Sequence, residues 1–301
     1  MKVQHIETLV AIADAGSLRG ASEKLNKSQP ALTKMLKQAE ADLGIALFHR
    51  SSRGVTLTKM GETVLSRART IKSEMGLLKQ EVAQLSGQMV GTINVCLSPV
   101  AAVQIMPRAL AMFQKAHPHI SVAMTSGLVP DALIPLREGK TDIVIGPVTA
   151  DDLGREFNIE PLFTTPIVVI TSPDSAFAGA NSLQELTQAL WIKIGSPERP
   201  AIFRKAFMDN GLAPPDAMIT SESYFGALAM VESLGALCTF PEMLFKGTRK
   251  GWNVQEIAIR EKFAPVQIAI LTRKSHQLTP AAHALVNCVR RRATMLRIEH
   301  N

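Results

Sequence analysis

SLRGASEKLNKSQPALTKMLKQAEADLG, residues 17–44, holds two helical patterns separated by only a few polar residues. Ser17 can cap the first, which carries Leu18, Ala21 and Leu25 on one side. Asn26 and Lys27 read as the turn. Ser28 caps the second, and Pro30 lies in its first turn, where a missing N–H costs nothing. Leu32, Leu36, Ala39 and Leu43 then form a buried stripe. The opposite face carries Gln29, Thr33 and Lys37 at i, i+4 and i+8, with Lys34 beside them. In a DNA major groove Gln pairs with adenine, Thr touches a thymine methyl, and Lys meets guanine or phosphate. Two helices with a short turn, the second presenting such groups, predict a helix-turn-helix over about 18–37. An ordinary three-helix bundle with a solvated polar face remains open on these residues alone.

Outward from this stretch the pattern continues. Val3, Ile6, Leu9, Val10 and Ala13 predict a preceding helix over Val3 to Ala15, stopped by Gly16. On the other side, ALFHRSSRGVTLT (46–58) is strand-like on both flanks of Ser51-Ser52-Arg53-Gly54, a hairpin turn. Arg50 and Arg53 fall at its tip, where a two-stranded wing can reach phosphates or a minor groove. Arg53 reads equally as a solvated turn residue.

Together with LFHRSSRGVTLTKMGE (47–62), the opening stretch resembles the N-terminal domain of LysR-type transcriptional regulators. The matching residues are Gly16-Ser17, Ala21, Leu25, Ser28 to Leu32, Glu40, Leu43-Gly44, Leu47-Phe48, Arg50, Leu57-Thr58 and Gly61. Departures are Gly20 for a usual alanine, Thr33 for a serine and Ala39 for a leucine. The resemblance assigns DNA contact to Ser28, Gln29, Pro30, Thr33, Lys34, Lys37, Arg50 and Arg53.

Thr58 caps a predicted long helix to about Gly87. Within it Val64, Ala68, Ile71, Met75, Leu78, Val82 and Leu85 step 4-3-4-3-4-3, the seam of a coiled coil. A homodimer through this linker helix is expected, with two reading heads about one DNA turn apart or multiples of it. The resemblance implies further pairing into a homotetramer.

After Gly91 strands alternate with helices. TINVCLS, ISVAMTS, DIVIG, IVVITSP, WIKIGS, MITSES and ALCTFP read as strands, with helices such as Val100 to Ala116 and Leu128 to Glu138 between. The fold class is therefore α/β overall. The resemblance extends across this part and implies a two-lobed effector domain like that of periplasmic binding proteins. Proline-interrupted strand-like runs around Pro166 and Pro265 are the expected crossings between lobes. The expected division is 1–58 for the winged helix-turn-helix, 59–88 for the linker and 89–301 for the effector domain. Lobe one spans about 90–164 plus 266–301, and lobe two about 165–265.

A ligand in such a fold sits between lobes, at strand carboxyl ends and helix N-termini. Ser98-Pro99, Ser126-Gly127, Ser196 and Ser223 lie at such ends, where hydroxyls and free N–H groups suit an anion. Each serine reads equally as a plain helix cap. Phe203 and Tyr224 are expected as an apolar wall. The runs SPVAAVQIMPRALAMF and SESYFGALAMVESLG resemble regulators that respond to aromatic sulfonates and carboxylates.

Composition narrows the class. The chain has 301 residues, 46% of them hydrophobic, and a net charge of +7. Residues 1–87 carry 13 Lys and Arg against 8 Asp and Glu, so most of the excess lies in the N-terminal third. That asymmetry suits a polyanion-binding head on a nearly neutral body. No run of 18 apolar residues suggests a membrane span, and the start lacks the pattern of a secretion signal. Cys96, Cys238 and Cys288 are far apart and odd in number, fitting thiols in a reducing cytoplasm. No motif suggests an enzyme, a metal or a cofactor, and the HPH run at His117 to His119 reads as a solvated turn. The expected partners are double-stranded operator DNA, a small effector, a second copy of the chain and RNA polymerase. The competing reading is a solute-binding or adaptor protein whose N-terminal domain only dimerises.

Overall fold

A computed structural model describes residues 1–51, 54–148, 154–196 and 201–300. The chain opens with three helices, α1 (Val3–Ala15), α2 (Leu18–Leu25) and α3 (Gln29–Leu43). Gly16, Asn26 and Gly44 end them, each in the left-handed region, which breaks the helical ladder. The helices close over Leu9, Ile12, Ala21, Leu32, Leu36 and Ala39. Strands β1 (Phe48–Ser51) and β2 (Gly54–Leu57) pair antiparallel as the wing. Glu40 on α3 fixes the wing's start, its Oε1 accepting from the N–H groups of Leu47 and Phe48. Gly20 also finds a reason: a Cβ there would lie 3.1 Å from the Ala15 Cβ and 3.2 Å from the capping Ser17 Oγ.

The linker helix α4 runs from Lys59 to Leu85, about 40 Å at 1.5 Å per residue. Thr58 caps it, accepting from Gly61 N at 2.9 Å and donating to Ala46 O at 2.9 Å. Its seven seam positions do not all face outward. Ala68 is buried with Leu65 against Ile6 and Val10 of α1, and Val64 packs on the head's core. These two residues therefore join linker to head within one chain, which corrects the expected seam at its N-terminal end. Met75 is half-buried, whereas Ile71, Leu78, Val82 and Leu85 are exposed, Leu78 by 61%.

Two mixed five-stranded sheets follow. The first has the order β4-β3-β5-β12-β6, from β3 (Gly91–Leu97), β4 (Ile120–Ser126), β5 (Ile143–Val148), β6 (Phe157–Thr165) and β12 (Val266–Arg273). The second has the order β11-β7-β10-β8-β9, from β7 (Ile167–Thr171), β8 (Trp191–Ile194), β9 (Ala217–Ser221), β10 (Leu237–Pro241) and β11 (Gln255–Ile257). β3, β4 and β5 run parallel, as do β8, β9 and β10, while β12 lies antiparallel between β5 and β6. The chain passes from first sheet to second at Pro166 and returns after Pro265.

The helices are α5 (Met106–Ala116), α6 (Leu133–Arg137), α7 (Ile202–Asp209), α8 (Tyr224–Leu234), α9 (Glu242–Thr248) and α10 (Pro280–His300). Two expected helices differ. The one after β3 begins as a π-helical turn, Ala101–Ile105. Pro107 follows it, and a proline both lacks the N–H for the carbonyl four residues back and crowds that carbonyl. The helix expected over 128–138 shrinks to α6, because Pro130 lacks an N–H for the ladder and disfavours the helical conformation at Val129. One hydrophobic cluster spans both sheets, including Ile93 and Val95 of β3 and Ile192, Cys238 and Phe240 of the second sheet.

Candidate nucleic-acid interface and interlobe cleft

Ser28 caps α3 by accepting from Ala31 N at 3.4 Å, which fixes the helix where the reading face begins. Leu32, Leu36 and Ala39 are fully buried, so the opposite face is held toward solvent. Gln29, Pro30, Thr33, Lys34 and Lys37 line one open concavity there, extended by Gln38 and Ala41. Ser28 stands exposed at its edge. The side chain of Arg50 and all of Arg53 lie outside the described residues. The wing is tied to the head by Val55 N, which donates to Gly16 O at 3.2 Å.

Of the serines expected at the effector site, Ser98 ends β3 and is 1% exposed. Its hydroxyl accepts from Ala101 N at 3.3 Å, and its own N–H donates to Ile145 O. Ser126 ends β4 and is exposed, while Pro99 and Gly127 are half-buried. Gly127 turns tightly, its N–H donating to Leu97 O, with no room for a Cβ beside Cys96 Sγ. In lobe two, Ser196 follows β8 and is half-buried. Ser223 caps α8, accepting from Gly226 N at 3.0 Å. Tyr224 is half-buried and meets Phe240 edge-on at 5.0 Å. Burial pushes its phenol well above the usual range, with a smaller contribution from Cys238, so it stays neutral.

Phe203 does not line the cleft. It is fully buried in the core of lobe two, 4.3 Å from Trp191 and edge-on to Phe207. Its position at the second residue of α7 turns it onto the sheet rather than toward lobe one.

Sequence reading missed the residues that hold the lobes together. Gln104, in the π-helical turn, donates from Nε2 to Met243 O at 2.8 Å, joining lobe one to α9 of lobe two. Its backbone carbonyl accepts from Arg292 Nε, and Arg292 is itself held by Glu299. A Cβ on Gly247 would overlap the Gln104 amide. The crossing at Pro166 is pinned likewise, by Glu242 N to Pro166 O at 2.8 Å and Met243 N to Thr165 Oγ1 at 3.3 Å. Lys193, buried on β8, was also missed; a lysine inside the apolar run WIKI was its signal. Among the described residues no group of three His, Cys, Asp or Glu side chains can hold a metal ion. None of the described helices is long and apolar enough to cross a membrane.

Comparison with known proteins agrees with this architecture. Residues 3–62 match the family described as bacterial regulatory helix-turn-helix protein, lysR family. Residues 86–294 match the LysR substrate binding domain. The HTH-type transcriptional regulator TdcA of Escherichia coli K12 is 27% identical over 191 residues, 64% of this chain and 61% of that protein. The uncharacterized HTH-type transcriptional regulator YdcI of the same organism is 26% identical over 309 residues, 97% of this chain and 95% of the relative. The crystal structure of CbnR, a LysR family transcriptional regulator, superposes with a TM-score of 0.69 at 20% identity, covering 97% of this chain and 99% of CbnR. Full-length CbnR with its target DNA gives 0.71 at 22% identity, covering 97% and 100%. The fold is theirs, and with both family domains matched in order along most of its length, this chain belongs to the LysR family.

Proposed function

We propose that the chain is a sequence-specific DNA-binding transcriptional regulator, divided into head (1–58), linker (59–88) and effector domain (89–301). The observation that carries this reading is the concave face of Gln29, Thr33, Lys34 and Lys37 on a helix whose other side is sealed in the core. Donors at that spacing suit base edges and phosphates of a major groove. Arg50 and Arg53 of the wing add phosphate contact. Ile71, Leu78, Val82 and Leu85 form the dimer seam, and the dimers pair into a tetramer. RNA polymerase is a further partner, and the setting is the cytoplasm.

The effector is a small anion, with an aromatic carboxylate or sulfonate as the favoured class. It lies between Ser98, Pro99, Ser126 and Gly127 on one side and Ser196, Ser223 and Tyr224 on the other. Ser98 and Ser223 each cap a helical start, and hydroxyls beside free N–H groups suit a negative charge. Such a ligand switches transcription only by binding one arrangement better than another.

The test is a gel-shift on the DNA upstream of the protein's own gene. Gln29→Ala and Thr33→Ala each lose about 1–3 kcal/mol at one base position and relax specificity there. Wild-type affinity in both variants, or no binding by the parent chain, sinks the assignment; the latter favours the adaptor reading.

A further inference from the structure

Arg69 stands in the middle of α4, its side chain 21% exposed, and touches two bodies at once. Its Nη2 lies 2.8 Å from Asp14 Oδ1, in the last turn of α1. Its Nη1 lies 3.4 Å from Glu138 Oε1, at the end of α6 in lobe one. The pairs continue on the head's side, for Asp14 Oδ2 is 3.6 Å from Lys24 Nζ in the last turn of α2. That turn leads directly into the reading helix α3. On the other side Glu138 also takes Lys140 at 2.7 Å.

The contact is broad. Thr70 Oγ1 donates to Arg137 O at 3.4 Å and Ser73 Oγ to Gly139 O at 2.6 Å. A Cβ on Gly139 would come within 2.7 Å of Ser73 Oγ, so the strap after α6 lies flush against the linker helix. Next to Ser73 along the helix, Glu74 takes Arg273 at 2.8 Å and His276 at 2.9 Å. The strap's other end is at Ser126 and Gly127, where the proposed function puts the effector. Between the ends, Val129, Ala132, Leu133 and Leu136 are buried with Cys96, Val144, Phe157 and Leu271, so the strap moves with lobe one.

Arg69 is also not placed for its own comfort. Its Nε is buried with no hydrogen-bond partner among the described residues, while both terminal nitrogens reach carboxylates of different bodies. Isolated exposed pairs of this kind hold little. A fork that spans two bodies and sits among further hydrogen bonds fixes an angle, which a lone pair does not.

We propose that Arg69 is the joint through which lobe one sets the orientation of the reading head. The chain Glu138–Arg69–Asp14–Lys24 ties the strap beside the cleft to the end of α2. Arg69 is a positioning residue: it touches neither DNA nor effector. A shift of the cleft rim is carried along residues 126–139 to the linker helix and from there to the head. Contiguous packing supplies the path, and the carboxylates on both sides of one guanidinium supply the grip.

The test is a distance distribution between spin labels in the full-length chain, without DNA or effector. Labels go on Arg19→Cys in the head and Lys115→Cys in lobe one, both exposed, in a Cys288→Ser background. Labelled protein is diluted into excess unlabelled chain, so only distances within one chain count. The parent gives one narrow peak. Arg69→Gln and Glu138→Gln each broaden it about twofold, while Arg137→Gln, which breaks a neighbouring pair with Glu156 inside lobe one, leaves it narrow. Should Arg69→Gln misfold, Glu138→Gln decides. Parent width in Arg69→Gln and Glu138→Gln, or equal broadening by Arg137→Gln, overturns the proposal. Because no DNA is present, the result stands apart from the operator assignment.

Discussion

Gly61 of the linker helix lies so close to Leu47 that a Cβ at Gly61 would overlap the Leu47 carbonyl oxygen. The helix meets the wing here, and Thr58 N donates to that same carbonyl at 3.0 Å. Gly61→Ala therefore destabilises the head by about 1–3 kcal/mol through overpacking, although alanine favours a helix interior over glycine by roughly 0.5–1 kcal/mol. Urea denaturation followed by circular dichroism reads the difference. A stabilised variant would show that wing and linker separate freely.

The two ends of the linker stripe respond differently. Leu78→Asp adds a charge to an exposed position of the single chain but buries it in a dimer. Light scattering then reports a smaller assembly, with the melting point of dilute protein little changed. Ala68→Asp instead buries a charge against Ile6 and Val10 of its own chain and lowers the melting point. If Leu78→Asp keeps the parent mass, the seam lies elsewhere.

Serines of the proposed effector site also separate. The Ser98 hydroxyl caps the turn that follows, so Ser98→Ala costs about 1 kcal/mol of stability with no ligand present. Ser126 is exposed, and Ser126→Ala stays within about 0.5 kcal/mol of the parent. Phe203→Ala empties a core position and costs about 3–5 kcal/mol. Thermal denaturation ranks the three. A mild Phe203→Ala would return that ring to the cleft wall.

Acid acts on the Arg69 joint. Partial burial raises the Asp14 carboxyl, but the hydrogen bond and charge of Arg69, with Lys24 behind it, outweigh burial and hold it below the usual value. A carboxylate with a lowered folded-state pKa stabilises the fold above its unfolded value and loses that contribution as pH falls through the lowered one. Asp14→Asn should therefore flatten the acid limb of the stability curve below about pH 4. Asp142 has the opposite sign. Burial raises its carboxyl against the pull of Asn94, His276 and Arg273, so its contribution is lost as pH rises through the raised value. Asp142→Asn gains on the parent over that rise. Parallel curves for parent and both variants would contradict both assignments.

Sequence alone carried the head almost entirely. Caps, turn and the stripe of Leu32, Leu36 and Ala39 are local, and local rules fix them; Leu43, expected to close that stripe, is instead 38% exposed beside the Gly44 cap. The sheets were legible as strands, but not their order, because β12 pairs with β5 and β6 across more than a hundred residues. Phe203 failed for a related reason. Its neighbour Ile202 is exposed, yet one residue along a helix turns a side chain by about 100°, and Trp191 and Phe207 were waiting on the inner side. The lobe contacts of Gln104 and the joint at Arg69 left no sequence signal, since glutamine or arginine on an amphipathic helix reads as solvated surface.

The position of β12 has a consequence for synthesis. Lobe one lacks its inner strand until residues 266–273 leave the ribosome, so β5 and β6 face each other across an empty slot while all of lobe two is already made. Both are then open edges able to accept a strand from another nascent chain. A shortened or reporter-fused product ending inside lobe two keeps that slot permanently, and it enters inclusion bodies even though its DNA-reading head is complete.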